Sequence, residues 1–215
     1  MRLNVPQRYP SAKIIVILFY TQNSPFARTA RIALREWGQL TGTEERLAAN
    51  REVDNPVLLF SPVGRVPTIV DGGLVITEAR AVFAYIKARA QGSREAPPEV
   101  DSWAAVAAEG QIVGFLEGIA TWVRENRRAP QERSSFLAAV EHDRMTRCLV
   151  HLDELAAERR LPNVREFGGA ALASALQLMS MHNLCVGWEA SHRNLSEWLN
   201  PQLMRPSMLS TQPVI

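Results

Sequence analysis

The chain has 215 residues, 47% of them apolar and 21% charged, with a formal net charge of +2. That balance is ordinary for a globular protein, and its slight positive charge argues for neither nucleic acid nor an acidic membrane surface as a partner. No apolar run approaches the length of a membrane span, the start lacks a signal-peptide pattern, and the length allows one domain or two. Cys148 and Cys185 lie far apart in apolar helical contexts. They read as unpaired thiols, which makes the cytoplasm the expected location.

Residues 1–13 form a polar extension with no assigned role. The apolar run 14–19, β-branched at its start, reads as a strand buried on both faces. Ser24-Pro25 then opens a helix over 26–37, with serine at the N-cap and proline at the first helical position. In the polar segment that follows, 57–60 fits either part of a strand or a short helical turn. The stretch 61–80 is the most informative. Its two short strands are joined by Asp71-Gly72-Gly73, an Asp-Gly hairpin signal. Pro67 opens the first strand, a place where a sheet tolerates proline. Thr77-Glu78 suits the N-terminus of a helix reaching about residue 90. Extended backbone beside a helix N-terminus is a geometry suited to a peptide-like anion.

Residues 91–100 are polar, include Pro97-Pro98 and read as a linker. Beyond them the pattern is helical. The segment 101–128 places Ile112, Phe115, Ile119 and Trp122 on one stripe, 132–159 and 168–187 continue similarly, and 194–199 reads as a short helical turn. The expected organisation is α/β over 14–90, a linker over 91–100 and an all-helical part over 101–215.

Four local patterns, in order and spanning nearly the whole chain, resemble the cytosolic glutathione transferase family, its bacterial members in particular. Phe19 to Phe26, with Arg28 and Arg31 to Leu34, resembles the first strand and helix of that family. Ser61 to Pro67 resembles its cis-proline loop, and Thr77 to Val82 the opening of its third helix. His192, Leu195, Trp198 and Arg205-Pro206-Ser207 resemble the end of its helical domain. The fold so implied is a thioredoxin-like domain followed by a helical bundle.

The chemistry implied is activation of the glutathione thiol, whose thiolate is the nucleophile. Ser24 is the implied activator, because a hydroxyl can donate to sulfur while the helix end adds positive potential. From the residues alone Ser24 is a helix cap, and the two roles are compatible. Tyr20 is the competing activator, against a plain reading as a core strand residue. Ser24-Pro25-Phe26-Ala27 also occupies the place where thiol-disulfide relatives carry a cysteine, so the sequence argues against a glutaredoxin-like reductase. The resemblance assigns glutathione to Arg65, Val66, Pro67, Glu78 and Ala79. Val66 would pair through its backbone, Pro67 would be cis, Arg65 would reach the glycyl carboxylate and Glu78 the γ-glutamyl ammonium. Arg65 reads equally as a solvated arginine, and Glu78 as a complement to the helix dipole.

Two positions depart from the family. Ala79 stands where serine usually holds the γ-glutamyl carboxylate, and Arg80 is a candidate to compensate. Glu166-Phe167-Gly168-Gly169 stands where the family usually has a Ser/Thr-x-x-Asp capping box, which predicts a weaker helix start. Phe26, Phe115 and Trp122 are candidates for an electrophile wall, although a stripe at helical spacing makes core the leading reading of the last two. Arg124, Arg127 and Arg128 read as a solvated helix end. His142, His151, His182 and His192 show no metal-ligand spacing, so no metal is expected. The resemblance implies an enzyme that conjugates glutathione, its co-substrate, to small hydrophobic electrophiles in detoxification, acting as a homodimer. The alternatives are a non-catalytic binding or regulatory protein of the same fold and a glutathione-dependent isomerase or dehalogenase.

Overall fold

The computed structural model describes residues 15–48, 54–93, 95 and 102–214. The extension 1–13, the first residue of the predicted first strand and most of the predicted linker lie outside these. The N-terminal part runs β1 (Val16–Tyr20), α1 (Pro25–Glu36), β2 (Thr43–Leu47), a 3₁₀ turn (Pro56–Leu59), β3 (Thr68–Asp71), β4 (Leu74–Thr77) and α2 (Ala79–Ala90). Its sheet has the order β2-β1-β3-β4, with β1 parallel to β2 and antiparallel to β3. The helical part holds α3 (Trp103–Asn126), α4 (Ser135–Ala157), α5 (Phe167–Met181), α6 (Trp188–Ser191), α7 (Arg193–Leu203) and α8 (Pro206–Leu209). A thioredoxin-like sheet followed by a helical bundle is thus what the chain forms.

The hairpin forms where Asp-Gly predicts it, Asp71 pairing with Leu74 and Gly72 adopting a φ of 60°. The segment at 57–60 resolves as the helical alternative. Strand β2 has no counterpart in the expected elements. Its sequence, Thr-Glu-Glu-Arg-Leu, is polar and only Thr43 is buried. What holds it is tertiary: it lies parallel at the sheet edge, and Glu45 accepts from Arg31 Nε and Arg35 on α1, each at 2.7 Å. The expected helix over 168–187 ends instead at Met181, because Asn183 and Cys185 take positive φ and start a new direction before α6. The expected turn over 194–199 is the longer α7, which carries Pro201 inside it.

One hydrophobic core runs through both parts. Helix α5 is its centre, buried on nearly every face between α3, α1 and α7. A smaller cluster of Phe19, Ala27, Ala48, Val57, Val66 and Val70 forms beside it, with Phe60 against Phe19 at a ring separation of 5.5 Å. Both cysteines are free thiols, and burial pushes the pKa of each up. Among the described residues no helix is long and apolar enough to cross a membrane.

The chain's last described residues return along α1. Arg205 pairs with Glu36 (Nε to Oε1, 2.8 Å), Arg35 Nε donates to Ser210, and buried Arg28 donates to the Met208 carbonyl (3.1 Å) and to Thr211 Oγ1 (3.3 Å). At the far end the Asn23 amide pairs in both directions with the Val214 backbone, at 2.6 and 2.8 Å.

Candidate active site

A cleft of about 630 Å³ opens between the N-terminus of α1, the loop 63–66 and the facing walls of α3 and α5. Three local structures shape it. The first is the start of α1. Ser24 is extended (φ −79°, ψ 113°) and its Oγ accepts from the Ala27 N–H at 3.1 Å, the N-cap that Ser-Pro predicts. A hydroxyl has one hydrogen and two lone pairs. The cap uses a lone pair, so the hydrogen stays available to an acceptor in the cleft.

The second is the loop before β3. Buried Asn55 donates from Nδ2 to the Gly64 carbonyl (2.8 Å) and accepts from the Val57 N–H (3.1 Å). Gly64 has a φ of 61°, and a Cβ there would come within 2.7 Å of Leu58 Cδ2, so both conformation and space require glycine. Thr68 Oγ1 donates to the Arg65 carbonyl at 2.7 Å, which uses its one hydrogen. At the 3.1 Å contact between them Thr77 Oγ1 is therefore the donor, and Ser61 in turn donates to Thr77 at 3.0 Å. This chain of hydroxyls ties the loop to the hairpin. It leaves Val66, 8% exposed and joined by a cis bond to Pro67, with neither its N–H nor its C=O bonded among the described residues.

The third is the start of α2. Expected at Thr77-Glu78, the N-cap is Glu78 itself, while Thr77 ends β4 and serves the hydroxyl chain. Glu78 has φ 93°, a conformation rare for a non-glycine residue, and its two carboxylate oxygens accept from the Arg80 and Ala81 N–H groups at 3.0 and 3.1 Å. Ala79 is buried at 3% exposure.

Of the residues singled out from sequence, Ser24, Phe26, Arg65 and Val66 line the cleft together. Tyr20 is not among the lining residues; it is half-buried, with the Arg31 guanidinium 4.3 Å above its ring. Arg80 faces the helical part, where its Nε lies 2.7 Å from Glu109 Oε1 on α3, so it is engaged away from the place left by the missing serine. Burial pushes the Glu109 carboxyl up; Arg80 opposes that, while Glu78 and Glu166 add to it. Phe115 and Trp122 of α3 are not in the wall either. Phe115 is fully buried toward α5, and Trp122 stands edge-on to His142 of α4 with centroids 5.8 Å apart. Helix α3 lines the cleft instead with Ala120, Val123 and Arg124, its C-cap adds Arg127, and α5 adds Leu178. Arg124 and Arg127, read from sequence as a solvated helix end, are the charged lining residues that reading missed. Their i,i+3 spacing around buried Val123 was the available signal.

Residues 18–94 match the family described as glutathione S-transferase, N-terminal domain. No curated protein matches the sequence. Among solved structures, a glutathione transferase family member from Pseudomonas fluorescens Pf-5 with bound glutathione is 24% identical, with a TM-score of 0.79 over 93% of this chain and 100% of its own. A glutathione S-transferase from Methylobacillus flagellatus, also with glutathione bound, is 20% identical, with a TM-score of 0.77 over 93% and 100%. The glutathione S-transferase of the Antarctic clam Laternula elliptica is 17% identical, with a TM-score of 0.68 over 92% of each chain. The N-terminal part thus matches the model of that domain over residues 18–94, and the described chain shares the fold of these solved structures.

Proposed function

We propose that the protein is a glutathione transferase of the serine type, which adds the glutathione thiolate to small hydrophobic electrophiles. One observation carries this reading: the free hydroxyl hydrogen of Ser24, at a helix N-terminus, shares a cleft with the unpaired backbone of Val66. Glutathione laid along Val66 as an added strand would bring its sulfur to Ser24. There a hydroxyl donor and the helix end both favour S⁻ over SH, and lowering the thiol pKa by one unit takes about 1.4 kcal/mol of differential stabilisation. Arg65 stands on the same loop to receive the glycyl carboxylate, with Pro67, Glu78 and Ala79 completing the γ-glutamyl side. The glutathione bound in two of the similar structures supports the choice of ligand. From the family we infer a cytoplasmic homodimer with a detoxifying role.

A second reading is favoured by the start of α2. Glu78 occupies the two N–H groups that a ligand carboxylate would use, and Ala79 offers no hydroxyl. A non-catalytic binding protein of this fold would show that pattern. Isomerase or dehalogenase chemistry would use the same thiolate on another electrophile. Calorimetric titration with glutathione decides between these readings: binding together with conjugation of an aryl chloride supports the transferase. No binding at millimolar glutathione, restored by Ala79→Ser, supports the non-catalytic protein.

A further inference from the structure

We propose that the electrophile conjugated in this cleft is an apolar molecule bearing an anionic group, a carboxylate or sulfonate, and that Arg124 and Arg127 receive that group. The inference rests on the transferase reading above and names its substrate class.

The wall opposite the Val66 loop has two characters. Phe26, Val123 and Leu178 offer an apolar surface, and Arg124 and Arg127 stand beside it one helical turn apart. With Arg65 across the cleft, the lining contains three guanidinium groups and no carboxylate. Other arginines near the sheet and at the contact between the two parts have acid partners: Arg31 and Arg35 with Glu45, Arg80 with Glu109, Arg205 with Glu36. Among the described residues, Arg65, Arg124 and Arg127 have none.

Arg124 is nevertheless held in place. Its Nε donates to the Ala120 carbonyl at 3.0 Å and an Nη to Thr121 Oγ1 at 3.1 Å. Both acceptors are neutral, so they fix the guanidinium without cancelling its charge. The charge of Arg127 is felt at the end of α5, where burial first and Arg127 second hold the His182 imidazole below its ordinary pKa.

Glutathione brings two carboxylates, and the proposed pose turns both to the other side, one to Arg65 and one to the Ala79 N–H, which the Glu78 carboxylate does not cap. Arg124 and Arg127 are left without an acid partner among the described residues, and guanidinium groups beside an apolar surface fit a carboxylate or sulfonate on an apolar body.

The test compares two aryl chlorides, neutral chlorodinitrobenzene and anionic para-chloro-meta-nitrobenzoate. In each, the glutathione thiolate sulfur bonds to the carbon bearing chlorine, the ring holds the electron pair, and the C–Cl bond then breaks to release chloride. The readout is the ratio of kcat/KM for the anionic probe to that for the neutral one. Replacing both exposed arginines, Arg124→Gln and Arg127→Gln, is expected to lower that ratio by roughly tenfold or more, since hydrogen bonds to a charged group are worth about 1.5–3 kcal/mol. Raising the ionic strength should lower the wild-type ratio and leave that of the double variant level. An unchanged ratio overturns the inference. So does a loss carried wholly by the KM for glutathione, which would assign the arginines to glutathione itself. If glutathione binds but neither probe turns over, calorimetry with the two ready-made conjugates reads the same preference: tighter binding of the carboxylate conjugate by wild type than by the double variant supports the inference, and equal binding overturns it. Failure to bind glutathione at all overturns the transferase reading, and this inference with it.

Discussion

Ser24 combines two roles because a hydroxyl can accept and donate at once. Its oxygen closes the first turn of α1, and its hydrogen is left for sulfur. Ser24→Ala is therefore expected to lower conjugation by about a hundredfold, the scale of losing one well-placed donor. It should also lower stability by about 1 kcal/mol through the lost cap. Steady-state rates and urea unfolding measure the two effects separately, and a stability loss without a rate loss would move the activating role to Tyr20. Ala79→Ser is expected to tighten glutathione binding by roughly tenfold, measured by calorimetry, since it restores a donor to a charged carboxylate. At this scale the sequence was legible wherever a residue's local backbone role coincided with its place in the site. Ser24 caps a helix and Val66 precedes a proline, and both are in the cleft. Arg124, Arg127 and Asn55 were not legible in this way, because their roles depend on what packs opposite them.

Among the elements, β2 and the start of α5 show what local pattern leaves out. Strand β2 lacks apolar alternation because it is an edge strand held by ion pairs to α1, and such a partner lies outside any sequence window. The Gly168-Gly169 pair reads as a weak helix start, and Glu166 indeed makes no side-chain cap. The structure supplies a different reason for the glycines. A Cβ at Gly169 would come within 2.0 Å of the Asn163 carbonyl oxygen, and one at Gly168 within 3.2 Å of Pro162 Cγ. The loop before α5 lies directly on the helix, and only glycine allows that approach. Gly169→Ala is accordingly expected to destabilise the fold by about 3 kcal/mol, read as a lower urea midpoint. The same substitution at Gly73, around which there is nothing within 4 Å, should change it by less than about 1 kcal/mol.

For the whole molecule the decisive feature is closure of residues 205–214 onto α1. The residues from Arg205 onward bind α1 from Glu36 at its C-terminus to Asn23 just before its start. The loop that carries Ser24 is thus tied to the far end of the sequence. The Glu36 side chain is only 6% exposed, and the hydrogen bond from Arg205 holds its carboxyl below the ordinary value of about 4.5, helped by Ser207 and opposed by burial. A depressed carboxylate pKa stabilises the folded state above the unfolded value, and that stability is lost as pH falls through the folded value. Urea midpoints should therefore decline on acidification below about pH 4.5 in the wild type, and less steeply in Glu36→Gln. Arg205→Ala, which leaves Glu36 with Ser207 but without its half-exposed cation, is expected to cost about 1–2 kcal/mol near neutral pH.

The sequence by itself determined the hairpin, the cap at Ser24 and the proline that leads into β3. Each of these is written in short-range patterns whose physics is local: a turn that needs glycine, a helix end that needs an acceptor, a proline that cannot donate. Only the tertiary structure decided which side chains share the cleft. It moved Phe115 and Trp122 into the packing of α3, committed Arg80 to Glu109, and brought Arg124 and Arg127 to the wall facing Arg65. The reason is that α3 is fixed in rotation by burying Ile112, Phe115, Leu116 and Ile119 against its neighbours. That burial sets the face turned to the cleft, and no stretch of α3 read alone contains it.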